Sequence, residues 1–253
     1  MNRYDEICRK YFRKLVDEKG IKEENISSIG GNESTLNYRT VSPEWFMLPS
    51  EEYAISKGEE KVMECNFRNS KAQVFTTVPS SISLKVSEVL ELNLQNIASR
   101  SLFYCALNAV MVHYGLVSGT VHCRKDSPLE CAKLLFEKLK KVSKLRKILL
   151  IGYQPAFAEK LSEKFDLFIT DMNPKNINRK VRNTKILSHL ENLNLIPEVD
   201  IVLITGSSLI NGTFWELYEC AMENSKPFIS YGISASGASK ILGIERHCRY
   251  LPD

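Results

Sequence analysis

The chain has 253 residues, 43% of them hydrophobic and 25% charged, with a formal net charge of +4 at pH 7. This length buries one large core or two modest ones, and so mild a basic balance excludes any nucleic-acid argument from charge alone. No run reaches the roughly 20 apolar residues of a membrane span, and the charged opening MNRYDEICRK lacks the apolar stretch of a signal peptide. A cytoplasmic protein without membrane or nucleic-acid partners is expected. Its seven cysteines are odd in number and contain no CxxC pair, which favours free thiols over a disulfide framework.

Tyr4, Ile7, Cys8, Tyr11, Phe12, Leu15 and Val16 recur at helical spacing and predict a helix over 3–17, stopped at Gly20. Residues 21–60 are polar, broken by Gly30, Gly31, Pro43 and Pro49, and read as irregular. KVMECNF and AQVFTTV read as strands, the second ended by Pro79. Residues 83–92 and 96–114 read as helices. On the second, Leu102, Cys105, Ala106, Ala109, Val110 and His113 share a buried face. DSPLECAKLLFEKLKK is a further helix, with Ser127 as N-cap, Pro128 at the first position and Glu130 completing a capping box. Residues 1–143 therefore read as an α+β domain, and the basic stretch KKVSKLRK marks its end.

Beyond it the pattern alternates. KILLIG, FDLFITD, VDIVLITG and PFISYG predict four buried strands. PAFAEKLSEK, TKILSHLENL and residues 214–222 predict the helices between them. Strands separated by helices of about ten residues imply βαβ units and a parallel sheet covered on both faces. Residues 144–253 are thus an α/β domain with a parallel sheet.

The segment TGSSLINGT, Thr205 to Thr213, joins the third of these strands to a helix. Thr213 and Glu216 fit a capping box. The residues before them exceed the two to six that such a turn needs, and they lie at the carboxyl edge where open α/β sheets bind ligands. Backbone N–H groups at the helix start add a tendency to bind anions. Thr205, Gly206, Ser207, Asn211 and Gly212 are therefore candidate ligand contacts. The same edge collects Gly152, Tyr153, Asp171, Tyr231 and Gly232. Asp171 stands where a dinucleotide-binding unit places its ribose-binding acid, but it equally suits a turn before Asn173 and Pro174. The first turn is GYQPAF, without GxGxxG, so a conventional dinucleotide is not expected, while a nucleoside, an adenosyl group or another small polar molecule stays open. GISASGASK is a second small-residue loop that either closes the pocket or only turns the chain.

Soft metal ligands concentrate in HCRKDSPLEC, making His122, Cys123 and Cys131 a candidate metal set and a metal ion a candidate cofactor. The alternative puts Cys131 on the buried stripe of its helix and His122 and Cys123 in an ordinary loop. Ser207 and Ser208 lack a GxSxG elbow. His189 reads as a helix-surface residue. The basic group Lys175, Arg179, Lys180, Arg182 and Lys185 has no interleaved aromatics and reads as a solvated loop.

LLIGYQPAFAEKL, FDLFITDMNP, DIVLITGSSLINGTFWELYECA and PFISYGISAS occur in this order and resemble the Rossmann-like C-terminal domain of the putative heavy-metal chelation family. ASRSLFYCALNAV is similar, through Ala106, Asn108 and Ala109, to a helix of that family's N-terminal domain, whose fold resembles the N-terminal domain of enolases. The resemblance covers most of 60–253. It implies a site between the two domains drawing on Asn108, Thr205, Gly206, Asn211, Gly212 and Thr213. The family commonly carries GP after its fourth strand, where this chain has Tyr231-Gly232-Ile233.

The expected function is binding of a polar or anionic metabolite, a metal or a metal chelate in the interdomain cleft. The alternative is a transferase or lyase acting there on an adenosyl-type or amino-acid-like substrate, with Asp171 on a ribose and Glu216 or Tyr231 handling a proton. The expected partner is a small molecule, and a homodimer is left open.

Overall fold

The computed structural model describes residues 2–21, 35–50, 52–54, 56 and 60–248. The first helix forms as expected. In α1 (Arg3–Glu18) the Asn2 side chain accepts from the Tyr4 N–H at the start, and beyond Gly20 the Ile21 N–H returns to the Val16 carbonyl. Residues 22–34 of the stretch read as irregular lie outside the described residues. Its next part is a strand, β1 (Thr35–Val41), in which Tyr38 and Val41 are buried while Arg39 and Thr40 face out. Polar neighbours dilute that signal in the sequence. After a short 3-10 turn (Pro43–Phe46) come β2 (Lys61–Phe67) and β3 (Ser70–Thr76), the two strands expected. The helix expected over 83–92 is shorter: β4 (Ser83–Lys85) pairs with β1, and α2 (Val86–Leu90) follows. The four strands make an antiparallel sheet in the order β3-β2-β1-β4.

Helix α3 (Ile97–His113) lies between this sheet and the rest of the molecule. Ser101 through Met111 are all buried, so it presents no solvent stripe. One side packs on β2 and β3. Another packs on two helices of the second layer, α7 and α9, whose bounds are given below. Helix α4 (Ser127–Leu139) starts without the expected capping box: Asp126 holds the N-cap position and no side chain caps it. Leu135, Phe136 and Leu139 pack with Ile148, Leu150 and Leu161, so α4 shares the core of the second sheet.

That sheet is built from β5 (Lys147–Ile151), β6 (Asp166–Asp171), β7 (Lys180–Val181), β8 (Thr184–Ser188), β9 (Ile201–Thr205), β10 (Phe228–Tyr231) and β11 (Glu245–His247). Between them lie α5 (Pro155–Leu161), a 3-10 turn (His189–Glu191), α6 (Asn192–Leu195), α7 (Ser207–Asn211), α8 (Phe214–Glu223) and α9 (Ser236–Leu242). TKILSHLENL is not one helix: its first half is β8, with Ile186 buried beside Ile169 of β6, because a short run alternating about Ile186 fits a pleat better than a stripe. Part of TGSSLINGT is the helical turn α7 rather than an open loop, and GISASGASK enters α9 rather than remaining a loop. Strand β11 lies beyond the elements expected.

The strand order is β11-β10-β9-β5-β6-β8-β7, all parallel except β7. Counted along the chain, the parallel strands lie 3-2-1-4-5-6, a doubly wound order. Both faces are covered. Ile148 and Leu150 of β5 face the α4 and α5 side, while Leu149 and Ile151 face the α3 side. Order reverses between β5 and β9, which leaves a crevice at their carboxyl ends. No helix among the described residues is long and apolar enough to cross a membrane.

Helix α1 straps the two layers together. Asp5, 5% exposed, accepts a hydrogen bond from the Tyr104 hydroxyl of α3 and one of 2.7 Å from Trp215 Nε1 of α8. Tyr4 stacks on Trp215 with ring centroids 5.0 Å apart. Truncation of the shared acceptor leaves two buried donors unpaired, at roughly 1–3 kcal/mol each. Asp5→Ala should therefore lower the unfolding free energy in urea by roughly 3 kcal/mol and shift the emission of Trp215. Unchanged stability and emission would show that this carboxylate is not a structural tie.

Candidate functional site

The carboxyl ends of β5, β6, β8 and β9 face the small sheet across a cleft of about 700 Å³. Phe75, Thr76 and Thr77, with Tyr53 and Ile97, form the small-sheet wall. The opposite wall is made by the turns after the parallel strands. Arg179 pairs with Glu52 across the gap and lies over the Tyr153 ring, 5.8 Å from its centroid. Burial and then Glu52 raise the Tyr153 pKa.

At the end of β5, Gly152 adopts φ +90°. A Cβ there would stand 2.6 Å from Thr205 Cγ2 and 3.1 Å from the Tyr231 hydroxyl. Glycine is thus required by close packing of three strand ends. Tyr231 lines the cleft, but its hydroxyl is turned onto the carbonyls of Ile151 (2.9 Å) and Gly152 (2.6 Å). Burial raises its pKa well above the usual range. It is a structural donor, and the expectation that it handles a proton is corrected on that ground. Asp171 accepts from the N–H groups of Tyr153 and Asn173, both at 2.7 Å, and from Asn176 Nδ2 at 3.3 Å. Its carboxylate ties the turn after β5 to the turn after β6, the turn role expected for it, and it also lines the cleft.

TGSSLINGT largely satisfies itself. Thr205 Oγ1 and Ser207 Oγ lie 3.1 Å apart, and Ser208 Oγ donates to the Thr205 carbonyl at 2.6 Å. The capping box expected at Thr213 is not formed. Asn211 Oδ1 takes both the Thr213 N–H (3.0 Å) and its hydroxyl (2.8 Å), so Glu216 is not used as a cap and lines the cleft. Arg100 of α3 donates to the carbonyls of Ile210 (2.7 Å) and Asn211 (3.0 Å), holding the end of α7 from the other layer. Gly212, at φ +94°, leaves room for that guanidinium, whose Nη2 lies 2.9 Å from where a Cβ would stand.

Thr205, Ser207, Asn211 and Thr213 reach the cleft together with Gly152, Tyr153, Asp171 and Tyr231. Asn108, Gly206, Gly212 and Gly232 are not among its lining residues. Asn108 is fully buried behind it, donating to the Ser234 carbonyl (3.0 Å) and accepting from the Gly237 N–H (2.7 Å), which fixes the entry to α9. Gly206 packs its backbone against residues 234–235, and the Gly232 carbonyl accepts from Arg246.

Other lining residues lie outside the candidates read from sequence. Thr170 and Asn192 form a buried polar pair at the cleft, joined at 2.6 Å. His189 lines it too, instead of standing on a helix surface. The available signal was the strand character of TKILS: once β8 is a strand, His189 and Asn192 follow its carboxyl end.

His122, Cys123 and Cys131 do not make a metal set. Among the described residues no group of three or more His, Cys, Asp or Glu side chains could hold a metal ion. His122 Nδ1 lies 2.7 Å from the Cys123 carbonyl, and its ring meets Phe46 and Phe75 edge-on. Burial pushes the Cys123 thiol up to about 12, with Cys248 and Cys131 adding to the rise, so it is no ready thiolate ligand.

Residues 135–243 match the model of the DUF364 family, described as putative heavy-metal chelation, as the motifs imply. Two solved structures of DUF364 proteins are similar in fold. One, from Pyrococcus horikoshii, is 16% identical with a TM-score of 0.53, covering 90% of this chain and 78% of that one. The other, from Desulfitobacterium hafniense DCB-2, is 14% identical with a TM-score of 0.54, covering 93% and 82%. A comparison with curated protein sequences gave no match.

Gly152→Ala should destabilise the protein by roughly 2–3 kcal/mol in urea unfolding, from its positive φ and the contact with Thr205 together. A loss below that of an ordinary surface substitution would contradict the packing described. Burial lowers the His122 pKa to about 4 against an unperturbed 6.5. Between those values the unfolded chain holds a proton that the native ring refuses, so stability falls as pH falls through that window. From pH 7 to pH 5 this amounts to about 2 kcal/mol, absent in His122→Asn. Parallel pH profiles of the two proteins would contradict the assignment.

Proposed function

We propose that this chain, with its DUF364-type C-terminal region, binds a small polar molecule in the cleft between its two sheets. The carrying observation is the place and lining of the cleft. It lies at the carboxyl ends of the parallel strands, where strand order reverses and where such sheets bind ligands. Its volume of about 700 Å³ suits a small molecule. Hydroxyls and amides from Thr170, Asn192, Thr205, Ser207 and Asn211 share its surface with apolar side chains. The carboxylates that line the cleft do not converge as a group of three among the described residues, so the family's chelation theme fits best as a metal carried within a small chelating molecule. The enzymatic alternative keeps Glu216 as its proton-handling group at the cleft, since Tyr231 and Asp171 are both committed to backbone partners.

The test is mass spectrometry of compounds released when the purified protein is denatured. Wild type should release a compound that the Thr205→Val, Asn211→Ala double variant, folded by circular dichroism, retains at most about a tenth as well, a loss of ~1.4 kcal/mol or more. Equal release from both proteins would contradict the site.

A further inference from the structure

We infer that Asn192, oriented by Thr170, is the ligand-selecting residue of the cleft, and that it takes the oxygen of an uncharged carbonyl group such as a carboxamide. This rests on the proposed cleft function and adds the chemistry of the bound group. Asn192 is 6% exposed and opens α6, directly after the turn that ends β8. Thr170, fully buried at the end of β6, donates its hydroxyl to Asn192 Oδ1 at 2.6 Å. That bond fixes which way the amide faces. Asn192 Nδ2 makes no hydrogen bond among the described residues, and Asn192 lines the cleft. A nearly buried amide donor held in one orientation is a recognition group, because a ligand that displaces solvent from it must supply an acceptor or bear the cost of desolvation.

The charge of the surroundings decides which acceptor. Glu52, Glu60, Asp171 and Glu216 line the same cleft, against Lys175 as its lysine. Arg179 pairs with Glu52, and Asp171 and Glu216 by themselves still outnumber the lysine. A ligand carboxylate entering a partly desolvated cleft meets like charges, whereas a neutral carbonyl oxygen does not. Met172, Leu190 and Leu193 stand exposed at the rim of the same wall. They supply apolar surface for a hydrocarbon portion next to the carbonyl.

The test uses three matched probes at millimolar concentration: cyclopentanecarboxamide, cyclopentanecarboxylate and cyclopentylmethanol. Binding is read from amide NMR spectra of the full chain, including the side-chain NH2 signal of Asn192. The carboxamide should shift that signal and bind about tenfold more tightly than either other probe, the worth of one good hydrogen bond. Asn192→Asp, which keeps the size but removes the donor, should abolish the preference. Thr170→Val should weaken carboxamide binding several-fold while the spectrum stays that of a folded protein. Carboxamide binding unchanged in both variants overturns the role of Asn192 and leaves the cleft reading standing. Tighter binding of the carboxylate, or no movement of the Asn192 signal by any probe, also overturns the inference. The released-compound experiment then decides the cleft reading separately.

Discussion

The burial of α3 on both sides is the constraint from which the rest follows. A helix with no solvent stripe, from Ser101 to Met111, must be packed between two layers, and it holds the small sheet against the large one. Polar groups buried with it need partners in the neighbouring layer. Asn108 finds them at Ser234 and Gly237, and Arg100 finds them at the end of α7. Ser234 in turn accepts the Phe75 N–H of β3 at 3.0 Å. These contacts set how far β3 stands from the carboxyl ends of the parallel strands. The cleft is the space they leave.

Its inner surface divides into groups that build it and groups that remain available. Gly152, Tyr231 and Asp171 build it: close packing, two carbonyls and three donors account for them. Most of TGSSLINGT builds it as well, since Thr205, Ser207, Ser208, Asn211 and Thr213 bond to one another. Groups that remain available lie nearby after β6 and β8: the Asn192 amide, oriented by Thr170, and His189 Nδ1, which is buried without a hydrogen-bond partner. A loop crowded with hydrogen-bonding side chains is therefore largely bonded within itself, while the less conspicuous asparagine after β8 keeps its Nδ2 without a hydrogen bond among the described residues.

Much of the fold was legible. The long apolar runs of β5, β6, β9 and β10 could only be buried parallel strands, and α1 and α4 announced themselves by their stripes. Short elements escaped. β8 buries Ile186 within polar surroundings, β1 sets Tyr38 and Val41 beside the exposed Arg39 and Thr40, and β4 is too brief to show a period. The site was legible to the level of the sheet edge, because topology alone places every strand end there. The partition of that edge was not, because whether Tyr231 or Asp171 faces a ligand or a carbonyl depends on contacts with residues distant in the chain. The metal set failed for the same reason. His122 and Cys123 are neighbours in sequence, but the fold encloses the imidazole among Phe46 and Phe75.

Hydrogen–deuterium exchange, compared with and without a small-molecule fraction of cell extract, tests the cleft most directly. Slower exchange should be confined to the turns that face the small sheet, residues 171–176, 189–193 and 205–213. Protection that appears elsewhere while those turns exchange unchanged would contradict it.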